Sequence, residues 1–201
     1  MNPPRPLRRI AIVPAAGTSR RMGRPKLLLP WGASTVLQSV LETWGASQVD
    51  RTILVVRSAD QPLAEIGYRC GVDVVRTDPA PPDMKDSVRL ALDFVRRQYQ
   101  PDRSAWWLLS PADNPRLPAA VIDRVCRACA DTDAEIVVPC CAGRRGHPVA
   151  LAWPLAETLQ TLADGEGVNA LFSRHRVECL AVDDPAVLCD IDTLDDYERW
   201  R

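Results

Sequence analysis

Two rhythms of apolar residues alternate along the chain. Short apolar runs at Ile10–Val13, Thr52–Val56, Val72–Arg76, Trp106–Ser110, Glu135–Pro139 and Val177–Val182 predict strands. Between them, apolar positions recur every three or four residues, which predicts helices. Val36, Leu37, Val40, Leu41 and Trp44 form one such stripe, opened by a capping box of Thr35 with Gln38 and closed by Gly45. Val88, Ala91, Leu92 and Val95 form a second. Further helices are expected over about 60–69, 118–130, 154–163 and 167–174, and a last one opening at Thr193. Gly143 to Pro148 turns the chain into Val149–Ala152, which predicts a hairpin, while Pro79, Pro81 and Pro82 exclude regular structure between Thr77 and Asp83. Strand and helix alternate over most of the length, the pattern of an α/β domain doubly wound around a mostly parallel sheet.

At 201 residues, with 46% hydrophobic and 25% charged, the chain suits a single domain over 1–201 and is short for two. Neither a repeat nor a linker divides it, and residues 1–7 are expected to be disordered. A formal net charge of -1 argues against broad electrostatic binding to nucleic acid or membrane, although a local basic pocket remains open. No apolar run approaches ~20 residues and no signal-peptide core is present, so a soluble, cytoplasmic protein is expected.

Cysteine adds little chemistry. Cys126 and Cys129 form a CxxC, but neither His147 nor His175 supplies the remaining ligands at zinc spacing. Cys126 also falls on the apolar face shared by Val121, Ile122 and Val125, so buried free thiols are expected. An odd total suits a reducing compartment.

The stretch from Ala15 to Lys26, directly after the first strand, combines small residues with Gly17, Gly23, three arginines and a lysine. Small residues at 15–17 let backbone N–H groups approach an anion, the glycines permit backbone angles that other residues resist, and Arg21 and Lys26 bring positive charge to phosphate oxygens. A triphosphate-binding loop is therefore expected. It is not a Walker A loop, because Arg24 and Pro25 separate Gly23 from Lys26, and the GxGxxG dinucleotide pattern fails as well. A basic surface loop would explain the charges but not the joint spacing of Gly17, Ser19, Met22, Gly23 and Lys26.

That spacing resembles the LAAGxSxRMGxxK signature of the molybdenum cofactor cytidylyl- and guanylyltransferases, with Pro14 replacing the leading Leu. Leu27 to Gly32 is similar to the hydrophobic tail that follows the lysine in that family. The resemblance implies a glycosyltransferase-A-like, nucleotide-diphospho-sugar transferase-like fold. It also implies nucleotide binding by Ala15, Ala16, Gly17, Ser19, Arg21, Gly23 and Lys26. Pro111-Ala112-Asp113-Asn114-Pro115 looks like the family's GDxP element, which makes Asp113 a metal ligand and, with Lys26 and Arg21, a catalytic residue. An Asp between prolines is also a common turn residue.

Cys189 to Tyr197 resembles the DIDTPxDY ending of the cytidylyltransferase branch, with Leu194 in place of Pro. Alternation puts Asp190 and Asp192 on one side of an extended segment, where both face one Mg²⁺, with Asp192 expected nearer the nucleotide. Capping of the last helix accounts for Thr193 and Asp196 but leaves Asp190 unexplained. Gly146-His147-Pro148 matches a GHP element of the same branch and places His147 and Pro148 against the acceptor. A structural histidine is the alternative, and Arg144 and Arg145 beside it are either anion-attracting or plain solvated charge. Met84 to Arg89 stands where relatives carry GMxxSL, which makes Ser87, opening its helix, a nucleotide contact. Asp83 replaces the usual Gly.

The resemblance as a whole implies a Mg²⁺-dependent nucleotidyltransferase. It would pass NMP from an NTP to a phosphorylated acceptor such as molybdopterin, whose product a molybdenum enzyme would receive. Relatives that use GTP carry Gly-Gly where this chain has Ala16-Gly17, so CTP is the expected nucleotide. Two other readings stay open: a sugar-phosphate nucleotidyltransferase on the same fold, and a non-catalytic protein that delivers a molybdenum cofactor.

Overall fold

The apolar run Ile10–Val13 has no polar alternation, and all four residues are buried, as a strand covered on both faces requires. It forms the centre of β1 (Arg9–Pro14). In the computed structural model, which describes residues 7–17 and 22–201, β1 is followed by a short hairpin of β2 (Pro30–Trp31) and β3 (Ser34–Thr35). Next come β4 (Arg51–Arg57), β5 (Asp73–Thr77), β6 (Trp106–Leu109) and β7 (Ile136–Cys141). The last strands are β8 (Arg144–Arg145), β9 (Val149–Ala152) and β10 (Val177–Ala181). The helices are α1 (Val36–Gly45), α2 (Gln61–Arg69), α3 (Met84–Tyr99), α4 (Ala119–Asp131), α5 (Leu155–Gln160) and α6 (Leu194–Trp200).

The main sheet runs in the order β10-β7-β9-β6-β1-β4-β5, with β8 added beside β7. It is parallel except where β9 lies between β6 and β7 and where β8 pairs with β7. Side chains alternate between its faces. Ala11, Val13, Leu54, Val56 and Leu108 face a cluster that α1, α2, α4 and α6 cover, whereas Ile10, Ile12, Ile53, Val55 and Trp107 face one that α3 and α5 cover. Three layers with helices on both faces are thus dictated by central strands whose buried runs are apolar on both sides.

Several local details depart from what the pattern suggests. The segment expected as a helix over 167–174 is a 3₁₀ helix, Val168–Ser173. Thr35 accepts from the Gln38 amide at 3.3 Å, but the Gln38 side chain bonds Glu42 instead of closing the capping box. At α6 the box is complete, with Thr193 and Asp196 each capping the other. The predicted hairpin is present, with β9 antiparallel to β7, and β8 is added to it through a tight turn in which Ala142 and Gly143 both have positive φ, 48° and 75°. Strand β9 then folds back across the sheet. Residues 1–6 lie outside the described part, but Leu7, expected to be disordered, packs against the second core cluster.

Cys126 and Cys129 are buried on α4 as free thiols. Burial pushes the Cys126 thiol up to about 12 and raises Cys129 as well. Cys140 and Cys179 instead pair as a disulfide between β7 and β10, with Cα atoms 5.7 Å apart. Nothing in their spacing along the chain announces that pairing, because it follows from strand order. Mutating Cys126 and Cys129 together to Ala is expected to cost about 1–3 kcal/mol of stability through lost buried volume, without altering metal content. Urea unfolding and elemental analysis check both halves; stoichiometric zinc that disappears in the double variant would overturn the packing role.

Candidate active site

In open α/β sheets, ligands bind beyond the carboxyl ends of the strands, where neighbouring connections part company. Here β1 lies between β6 and β4, so the connection leaving β1 runs towards β4 while the one leaving β6 runs towards β7, in opposite directions along the sheet. A cleft of about 800 Å³ opens at that point. Ala15, Ala16 and Gly17 from the first loop line it together with Lys26, Ser87, Asp113, Asp190 and Asp192. Residues 14–17 and 26–27 therefore meet segments from 80–87, 111–113 and 190–192 in one cavity.

Lys26 begins a 3₁₀ turn, Lys26–Leu28, that directs its side chain inward. Its Nζ donates to the Asp113 carboxylate and, at 2.8 Å, to the Ile191 carbonyl, and lies 3.6 Å from Asp192 Oδ1. The Ile191 amide in turn donates to the Asp113 carbonyl at 2.9 Å. The lysine and the three aspartates thus share one charge cluster. They do not form a bare carboxylate trio: among the described residues no group of three Asp, Glu, His or Cys side chains converges on a common metal position. The reason is that the ammonium of Lys26 stands between Asp113 and Asp192. Asp113 Oδ1 and Asp190 Oδ1 are nevertheless buried without a hydrogen-bond partner. Such oxygens are costly unless a cation or donor completes them, so this pair fits a divalent ion.

Burial pushes the Asp190 carboxyl above the usual carboxylate range; His147 and Lys26 oppose the shift, and the charges of Asp113 and Asp192 reinforce it. The expectation that Asp192 is the more important of the two is not what burial suggests. The Asp192 side chain is 49% exposed at the cleft mouth, against 35% for Asp190. Depth and an orphaned oxygen single out Asp190, a distinction that alternation along an extended segment cannot make.

The other expected residues fall as follows. Gly23 has φ +63°, a left-handed conformation that favours glycine, but it does not line the cleft. Gly17 needs no such angle, and a Cβ there would meet no protein atom within 4 Å, so the open space beside it belongs to the cleft. Ser19 and Arg21 lie outside the described residues. Ser87 is buried and lines the cleft, yet it does not open α3: that helix starts at Met84, capped by Asp83, whose carboxylate accepts from the Asp86 amide at 3.0 Å.

His147 sits at the junction with a second cavity, and its Nε2 is 4.0 Å from Asp190 Oδ2. Its amide donates to the Val187 carbonyl at 2.8 Å. Pro148 is buried and lines neither cavity. Gly146 is required by close approach, since a Cβ there would lie 2.4 Å from the Val187 carbonyl oxygen. Asn114 secures the same region by donating to the Ala186 carbonyl at 2.8 Å.

One lining residue escapes a reading by motif. Lys85 is buried at the second cavity. It occupies the stripe Lys85, Val88, Leu92, Val95, so a lysine at an apolar position of a helical pattern was the available signal.

The profile of the MobA-like NTP transferase domain matches residues 11–179 of this chain. A probable molybdenum cofactor guanylyltransferase of Mycobacterium marinum is 30% identical over 191 residues, 92% of this chain and 89% of that protein. The molybdenum cofactor cytidylyltransferase of Escherichia coli K12 is 24% identical, over 92% of each. The crystal structure of Rv0371c from Mycobacterium tuberculosis H37Rv superposes with a TM-score of 0.81, at 32% identity over 96% of this chain and 97% of that one. The same protein in complex with manganese gives 0.75 at 30% identity, with the same coverage.

Because the native state disfavours a charged Asp190, this carboxylate contributes stability only while protonated. That contribution is lost as pH rises from the unfolded-state value through the raised folded one. Asp190→Asn removes the charge and keeps the shape, so its melting temperature is expected to exceed that of the wild type at pH 7.5 without metal. The advantage should vanish near pH 3, below the unfolded-state carboxylate value of 3.8, where Asp190 is protonated in both states. Differential scanning calorimetry at the two pH values decides it; a variant less stable at pH 7.5 would refute the buried-charge account.

Proposed function

The chain belongs to the family of MobA-like NTP transferase domains, and on that premise we propose that it transfers a nucleoside monophosphate from an NTP to a molybdopterin-type acceptor. The observation that carries this reading is the convergence of Lys26, Asp113, Asp190 and Asp192 in one cleft beside the backbone of residues 15–17. A pure carrier of a finished cofactor needs no such cluster. The named relatives favour molybdenum cofactor synthesis over a sugar-phosphate acceptor.

In this mechanism the terminal phosphate of the acceptor supplies the nucleophilic oxygen. It is largely dianionic at neutral pH, so no side chain has to remove a proton. The new bond joins that oxygen to the α-phosphorus as the bond to the β-phosphate oxygen breaks in line, and pyrophosphate leaves. The small residues 15–17 allow backbone N–H groups to lie against the phosphates. Lys26, fixed beforehand by Asp113 and the Ile191 carbonyl, presents a positive charge to oxygens that gain charge in the transition state. Asp113 and Asp190, with their orphaned buried oxygens, would hold Mg²⁺, with Asp192 nearby at the mouth. When bound, the ion neutralises charge on the transferred phosphoryl group. The manganese complex of Rv0371c supports a divalent cation on this fold.

The base is proposed to be cytosine. Ala16 lines the cleft at 7% exposure, and its methyl narrows the space available to a purine. Guanylyl transfer is the second reading, favoured by the name of the M. marinum relative.

Lys26→Ala and Asp113→Asn are each expected to lower kcat/KM at least ~100-fold while far-UV circular dichroism is retained. Lys26→Ala should weaken NTP binding with or without Mg²⁺, whereas Asp113→Asn should remove mainly its Mg²⁺ dependence. Pyrophosphate release from CTP or GTP with molybdopterin measures the rates, and near-normal turnover in either variant would reject the site.

Wild type is expected to prefer CTP over GTP by roughly 10- to 200-fold, and Ala16→Gly to raise GTP use more than it lowers CTP use. Titration with both nucleotides decides between the readings: a wild-type preference for GTP makes the protein a guanylyltransferase.

A further inference from the structure

A second cavity of about 400 Å³ adjoins the nucleotide cleft, and Asp83 and Met84 line both. Lys85, in the first turn of α3, lines its wall with only 3% of its surface exposed. Nζ donates to the Ala163 carbonyl at 2.9 Å, and among the described residues no carboxylate forms an ion pair with it. An ammonium has three N–H donors, so two are left without a protein acceptor. Burying a charge on such terms is costly.

Glu166 attracts it through space, but among the described residues neither that carboxylate nor Asp83 accepts a hydrogen bond from it. Glu166, on the same cavity, already accepts from the Ala163 amide at 2.9 Å and pairs with Arg174. Asp83 is engaged as the cap of α3. Nor is Lys85 needed to finish the end of α5, because Arg89, one turn further along α3, donates to the carbonyls of Leu159, Gln160 and Leu162. Its unused donors are therefore available to a ligand. Phe172 contributes an aromatic side chain to the same cavity, with the Arg145 guanidinium 4.9 Å from the ring centroid. His147 lines the passage towards Asp190.

We infer that Lys85 is a specificity-determining residue that binds an anionic group of the acceptor, other than the attacking phosphate, in this cavity. The acceptor it fits is a heterocycle with a phosphate arm and a second anionic group set apart from that phosphate. This rests on the nucleotidyl-transfer reading. The phosphate enters the charge cluster, the ring lies towards Phe172, and the second anion completes the donors of Lys85. A substrate lacking that anion leaves the buried ammonium unpaired, which discriminates more strongly than any loss of apolar contact.

The test compares wild type with Lys85→Met, which keeps the length of the side chain and removes its charge. Kinetics with molybdopterin and CTP or GTP are expected to show the acceptor KM raised roughly 10-fold or more, the loss of a charge-assisted contact. The nucleotide KM should move less than about twofold. Calorimetric titration of molybdopterin into nucleotide-free protein should show the same loss of affinity. The melting temperature should not fall, because an apolar isostere removes an unpaired buried charge. An unchanged acceptor KM would overturn the inference while leaving nucleotidyl transfer intact, and a lowered melting temperature with unchanged acceptor KM would make Lys85 a structural strut. Failure of the wild type to use molybdopterin with either nucleotide would reject the transfer reading itself, and this inference with it.

Discussion

The ammonium of Lys26 is the point on which the cleft depends. It bonds to Asp113, 87 residues away, and to the Ile191 carbonyl, 165 residues away, and so ties the connections after β1 and β6 to the segment that precedes α6. Without a cation at this position, three carboxylates would face one another in a partly buried site, where their repulsion is far stronger than in water. The Asp113 carbonyl accepts the Ile191 amide and Asn114 reaches the Ala186 carbonyl, so the backbone is drawn to the same place by ordinary hydrogen bonds. Charge and backbone geometry reinforce each other there.

The rest of the site follows from where this tie leaves the C-terminal segment. With residues 185–191 held against the β6 connection, Gly146 can approach the Val187 carbonyl and the His147 amide can donate to it. His147 then faces Asp190. On the far side, α6 docks through Tyr197, whose hydroxyl donates to the Pro30 carbonyl at 2.5 Å and whose ring lies 6.2 Å from that of Trp31. The hydrophobic tail after Lys26 is thus a clamp for the last helix, which explains why the phosphate-loop segment extends so far beyond its lysine.

The chemistry of the cleft is that of poorly compensated charge. Asp113 and Asp190 each keep one buried oxygen without a partner, and Lys85 keeps two donors without one. Groups of this kind weaken the ligand-free fold and favour the binding of complementary charge. Asp113, Asp190 and Asp192 gather around Lys26 in the first cleft, and Lys85 lies at the adjoining cavity.

The sequence by itself determined the layers and pointed to the segments that meet in the cleft. The unbroken apolar run Ile10–Val13 in β1 can be buried only between two layers of helices, and the spacing of Ala15 to Lys26 reads as a phosphate loop because each small or charged residue acts locally. The capping box at Thr193 was equally legible, being a matter of neighbours three residues apart. Tertiary structure alone decided that β9 inserts between β6 and β7, that Cys140 meets Cys179, and that Asp190 is less exposed than Asp192. It alone left Lys85 buried beside a cavity. These features depend on strand order and on burial, which arise from contacts between segments many tens of residues apart, and no local spacing encodes them.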